Sequence, residues 1–151
     1  MRNDGDMALW FALNRLITDY WAEVDHNRGA AAHEFYLPEA IYATGNNRFE
    51  GQEQIRAFYT RRAFGKRVTR HLVTNLRVFS QDTRMSGIMT LYRADDKSAY
   101  QDARPPAMIA DFEARCALGD DGQWRFRSHE LRPFFVGNDF PASVTIRPQA
   151  V

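Results

Sequence analysis

The chain has 151 residues, 17.5 kDa, 44% of them hydrophobic and 26% charged, which suits one folded domain over 1–151 rather than a disordered segment. Lys plus Arg total 20 against 19 acids, so the basic excess that marks nucleic-acid and membrane-surface binders is missing. No apolar run is long enough to span a bilayer, and a single cysteine, Cys116, excludes an internal disulfide framework.

The polar stretch 1–6 carries no charged-then-apolar signal pattern and reads as a flexible tail, which leaves a cytoplasmic domain as the expectation. From 7 to 27, Leu9, Leu13, Leu16, Tyr20 and Val24 recur at helical spacing, widened by Trp10, Ile17 and Trp21. Gly29 supplies a left-handed stop. A short second helix is predicted over 30–35, closed by Leu37-Pro38, then a small hairpin from 40–44 and 48–50 around Gly45. A third helix follows Gly51, with Ile55, Phe58 and Tyr59 on one side.

After Gly65 the period changes to that of strands, predicted over 68–80, 84–93, 107–118 and 123–136. Asp120-Asp121-Gly122 joins the last two as a hairpin turn, and the loop through Arg104-Pro105-Pro106 is expected to be mobile. Helices first and long strands afterwards indicate an α+β fold, with helices on one face of a mostly antiparallel sheet. A curved sheet covered in this way can enclose a small molecule. Aromatic residues at 13% are enough to line such a pocket as well as a core.

Two positions could carry chemistry. Asp25 follows Trp21 by four residues at the edge of the apolar stripe; it is either a partly desolvated carboxylate or a helix-end acid facing solvent. Along the first long strand, alternation puts Thr69, His71, Val73, Asn75 and Arg77 on one face, and Arg70, Leu72, Thr74, Leu76 and Val78 on the other. His71 is then either a ligand-facing base or a structural histidine bonded to backbone. Asn75 could bond substrate or tie down a loop.

The remaining candidates are blander. His26 projects away from Asp25 toward solvent, and His33 and His129 are too dispersed for a metal motif, so no metal and no cofactor is assigned. Arg61-Arg62 and Lys66-Arg67 read as a solvated basic cluster at a helix end. In the third long strand Met108, Ala110, Phe112, Ala114, Cys116 and Leu118 share an apolar face, with Cys116 inert; Trp124 and Phe126 read as core.

The order of Leu37-Pro38-Glu39-Ala40, Gly51-Gln52-Glu53-Gln54-Ile55, Arg70-His71-Leu72-Val73-Thr74-Asn75 and Asp121-Gly122-Gln123-Trp124-Arg125-Phe126 resembles the NTF2-like superfamily, and within it the SnoaL-like branch. The resemblance covers roughly residues 7–135. It implies a conical α+β barrel with three N-terminal helices, assembled as a homodimer or homotrimer. His71-Leu72-Val73-Thr74-Asn75-Leu76-Arg77 is similar to the matching strand of hexachlorocyclohexane dehydrochlorinases, with scytalone dehydratases more distant. In the dehydrochlorinases an acid on the first helix and a histidine on this strand form a catalytic dyad, matched here by Asp25 and His71.

The resemblance therefore implies a small cofactor-independent lyase or isomerase acting on a hydrophobic cyclic or aromatic substrate. His71 would be the base, Asp25 its partner and Tyr42 the preferred polarising donor. Tyr20, Trp21, Tyr36, Phe58, Asn75, Met89 and Phe112 are the expected substrate-binding residues. The same strand is also similar to β subunits of aromatic ring-hydroxylating dioxygenases, which implies, as an alternative, an assembly role beside a dioxygenase α subunit. A ligand-binding module without turnover is a third reading, because one cone hosts all three.

Overall fold

A computed structural model describes residues 3–138. Helix α1 runs over Asp4–His26. It starts earlier than predicted because the Asn3 side chain accepts the Asp6 N–H at 2.8 Å, and Asp4 and Asp6 complement the helix dipole. The expected tail is thus helical from Asp4, while residues 1–2 lie outside the described residues. Leu13, Leu16, Ile17, Tyr20, Trp21 and Val24 are the buried stripe of α1. The chain then turns with Gly29 at φ +74°, its N–H returning to the Glu23 carbonyl at 3.1 Å.

The second helix predicted over 30–35 is not an α-helix. It is a four-residue 3₁₀ turn, Ala32–Phe35, because strand β1 (Tyr36–Thr44) begins at once and leaves too few residues for two α turns. Strand β2 (Asn47–Glu50) returns through Gly45, and helix α2 (Gln52–Ala63) buries Ile55 and Tyr59. Two α-helices are therefore present among the described residues, not three.

The long strands fall close to their predicted places: β3 Arg67–Phe79, β4 Arg84–Asp95, β5 Met108–Leu118 and β6 Trp124–Val136. They form one six-stranded sheet in the order β2-β1-β6-β5-β4-β3. Every pairing is antiparallel except β1 with β6, which is parallel, so the sheet is mixed. It does not close into a barrel: the four-residue β2 and the thirteen-residue β3 are its two free edges. Helix α1 packs on β3 and β6, and α2 packs on β1 and β2, so the core lies between the helices and one sheet face.

Two bulges reset which residues face that core. At Asn75 (φ +54°) the β3–β4 register shifts, and Leu76 and Val78 join Val73 on the inner side. The alternation predicted beyond Thr74 is therefore inverted, and Asn75 itself is exposed. On β6 the register shifts beside Arg127, which turns His129 and Leu131 inward after Phe126. Leu118, expected on the apolar face of β5, is exposed at the strand end.

Candidate active site

A cavity of about 520 Å³ opens between α1, α2 and the inner sheet face. Its apolar side is made by Trp21, Phe49, Phe58, Met89, Leu91 and Met108. Its polar side is made by Asp25, Thr69, His71, Tyr42 and Thr44, with Arg28, Arg61, Arg62, Arg67 and Arg93 also lining it.

Asp25, on the last turn of α1, meets β3 across this space. Its Oδ1 stands 2.6 Å from His71 Nδ1, and its Oδ2 accepts the His71 backbone N–H at 2.8 Å. The Thr69 hydroxyl donates to Oδ1 at 2.8 Å. Both side chains of the pair are 6% exposed, so the hydrogen bond is formed largely away from water. Trp21, one helical turn before Asp25, stacks on the imidazole with ring centroids 4.0 Å apart and planes within 9°.

The electrostatics follow from this arrangement. Burial disfavours the Asp25 carboxylate, but its bonds to His71 and Thr69 and the His71 charge outweigh that penalty and hold the carboxyl below its ordinary range. Burial also pushes the His71 imidazole below its ordinary basicity; Asp25 offsets this only in part, and Arg62 adds to it. A neutral imidazole whose Nδ1–H is held by a carboxylate keeps its lone pair on Nε2. The arrangement can therefore accept a proton and stabilise the cation that results.

Beside the dyad lies a cluster of buried phenols. Tyr36 donates to Tyr20 at 2.9 Å, the Tyr20 and Tyr59 hydroxyls bond to one another, and Tyr36 also meets His129 Nδ1 at 2.9 Å. Since the Tyr36 proton goes to Tyr20, His129 donates from Nδ1, and its Nε2 remains buried without a partner. Burial, with a smaller effect from His71, pushes the His129 pKa down to about 3, so it stays neutral. Tyr42, whose hydroxyl neighbours those of Tyr59 and Tyr20, lines the cavity; burial pushes its pKa up to about 12.

Six expected site residues, Asp25, His71, Tyr42, Trp21, Phe58 and Met89, line this one cavity. Tyr20, Tyr36 and Phe112 do not: they are fully packed in the core, where their rings contact His129. Asn75 also lies away from the cavity, displaced by its bulge. Thr69 and His129 have roles that sequence reasoning missed. Arg61 and Arg62 face the cavity rather than forming only a solvated patch. Cys116 is buried, its thiol pushed up to about 12 by desolvation, in keeping with an inert core residue.

Residues 11–130 match the sequence profile of the SnoaL-like domain. The chain belongs to the SnoaL-like family. No curated protein matches this SnoaL-like chain at a significant level. Among solved structures it is similar to a scytalone dehydratase-like protein from Novosphingobium aromaticivorans, at 19% identity and TM-score 0.69, covering 87% of this chain and 88% of that one. ActVI-ORFA from Streptomyces coelicolor aligns at 13% identity and TM-score 0.64 over 83% of this chain and 97% of the other. Nuclear transport factor 2 from Cryptosporidium parvum aligns at 12% identity and TM-score 0.67, over 83% and 94%. At these identities the likeness establishes the NTF2-like fold and nothing finer.

Proposed function

We propose that this SnoaL-like domain is a small-molecule lyase or isomerase working by proton transfer, with His71 as general base. The observation that carries this reading is the 2.6 Å contact between Asp25 Oδ1 and His71 Nδ1 at the wall of an aromatic-lined cavity. His71 Nε2 takes a proton from a carbon or hydroxyl of the ligand, and Asp25 stabilises the imidazolium formed. In an elimination, the electron pair of the broken C–H bond becomes the new double bond and the leaving group departs as an anion. In an isomerisation, the same pair delocalises as an enolate and the imidazolium returns the proton at a different carbon.

Tyr42 supplies the polarising donor. A phenol is protonated at neutral pH, and burial extends that range upward, so Tyr42 can donate a hydrogen bond to the leaving group or the enolate oxygen. A base positioned in this way contributes about 10²–10⁴ in rate. Only side chains of this chain are needed for these steps.

The test is a screen of small cyclic hydroxy-ketones, ketones and halides in deuterated water, followed by NMR for product and for deuterium at exchangeable carbons. Wild-type protein is expected to turn over or label at least one class, and Asp25→Asn and His71→Ala to lose that activity. Two variants that convert a confirmed substrate at the wild-type rate overturn the dyad. Binding without any conversion makes the domain a ligand-binding module instead.

A further inference from the structure

The charge distribution around the cavity specifies a class of ligand; this inference rests on the proton-transfer reading above and narrows its substrate. Among the described residues, five of the chain's arginines line the cavity, whereas Asp25 is the one acid that does. The chain as a whole is nearly balanced, with 20 basic side chains against 19 acidic. The cavity lining therefore carries a local excess of positive charge that the chain as a whole lacks.

These arginines differ in what neutralises them. Arg28 meets Asp96 at 3.6 Å and Arg67 meets Asp95 at 3.9 Å, both at exposed positions on the rim. Arg62 is only partly exposed, and its contacts are the Thr69 hydroxyl at 3.4 Å and the face of Tyr59, 5.9 Å from the ring centroid. No carboxylate among the described residues pairs with it. Asp25, the acid nearest along that bonded path, already has three donors on its two oxygens. A half-buried guanidinium with no anionic partner, one hydroxyl removed from the dyad, is an unmet charge.

We propose that the cavity takes a ring-bearing carboxylate, with the ring against Trp21, Phe58 and Met89 and the carboxylate on Arg62. The guanidinium presents a planar fork that a carboxylate matches with two parallel hydrogen bonds, a fit that a neutral hydroxyl or amide lacks. The other wall is aromatic and aliphatic, so the rest of the ligand is apolar. Binding also has a consequence for the base. The uncompensated Arg62 charge depresses the basicity of His71, and a carboxylate on Arg62 cancels it, so the correct ligand raises the competence of the residue that acts on it.

The experiment is calorimetric titration of 1-naphthoate and of 1-naphthalenemethanol into wild-type protein, Arg62→Gln and His71→Ala, at low and moderate salt. Wild type is expected to bind the carboxylate about tenfold or more tightly than the alcohol, with added salt weakening the carboxylate alone. Arg62→Gln is expected to lose that preference while binding the alcohol as wild type does, which also shows that the variant folds. Equal affinities in wild type, a preference undiminished in Arg62→Gln, or no binding of either probe overturns the proposal. A carboxylate preference kept in His71→Ala, in a protein that turns nothing over, supports this inference and rejects only the proton-transfer reading. Turnover without the preference does the reverse.

Discussion

Trp21 lies flat against the imidazole of His71, its ring centroid 4.0 Å away, and Asp25 follows it by one turn of the same helix. One helical face thus supplies both the group that shields the imidazole and the group that orients it. If the indole is what keeps water from the ring, Trp21→Ala returns His71 toward its ordinary basicity. The acid limb of kcat/KM should then move to higher pH. The same substitution removes a buried aromatic ring and costs about 3–5 kcal/mol of stability, measured by urea unfolding. An unchanged limb in a folded variant assigns the depression elsewhere.

Asp25→Asn makes a sharper prediction because the backbone N–H of His71 dictates how the amide is placed. That N–H requires an oxygen where Oδ2 stands, so the amide nitrogen takes the Oδ1 position and donates to His71 Nδ1. The imidazole proton moves to Nε2, and the ring can no longer act as a base toward the cavity. Nitrogen NMR of labelled histidine should report the Nδ1–H tautomer in wild type and Nε2–H in the variant. Rates should fall by about 10²–10⁴.

The pH dependence of activity follows from the direction of the His71 shift. Its basicity in the fold is below the ordinary histidine value, so the neutral form persists as the pH is lowered through about 6.5. kcat/KM is expected to stay level through that point and decline only at lower pH. A limb at or above the ordinary value would contradict the burial seen here.

Acid stability is governed by His129 as well. Its folded pKa of about 3 lies below the unfolded value near 6.5, so over that window the unfolded chain binds a proton that the folded chain does not. Stability is therefore full above the window and falls as the pH drops through it, by about 1.4 kcal/mol per pH unit from this residue. His71 and, at lower pH, Asp25 act in the same direction. His129→Gln should flatten the slope of unfolding free energy against pH between about 6 and 4 by close to one proton. Denaturant titrations at several pH values measure it.

Gly29 is a fourth point of leverage. A methyl group at this position would collide with the Tyr59 ring, and the residue has φ +74°. Gly29→Ala therefore combines backbone strain with a displaced Tyr59, and should cost more than about 1 kcal/mol. Because Tyr59 bonds Tyr20 beside Tyr42, the variant should also lose activity. Thermal melts and steady-state rates separate the two effects.

Much of this architecture was legible from local pattern. The α1 stripe, the Gly29 stop and the four long strands follow from periodicity and turn residues, and the Asp25–His71 pairing came from family resemblance. What escaped was phase and depth. A bulge adds one residue without any change in composition, so plain alternation turns Asn75 toward the pocket and gives no sign that His129 faces inward. Tyr20 and Tyr36 are amphipathic, and only the three-dimensional packing reveals that their hydroxyls satisfy one another in the core. Arg62 reads as solvated in the sequence because periodicity shows α2 as a helix but not as the wall of a cavity.

The parallel pairing of β1 with β6 makes residues near the start and end of the domain neighbours: Tyr42 stands opposite His129, and Thr44 opposite Leu131. During synthesis, the β1–β2 hairpin cannot join the sheet until β6 has left the ribosome, since the strand that ties it to the other three is the last of the six. Such long-range closure predicts slow, all-or-none acquisition of ligand binding. A nascent chain halted before Leu131 would lack a wall of the cavity, however well its helices had already formed.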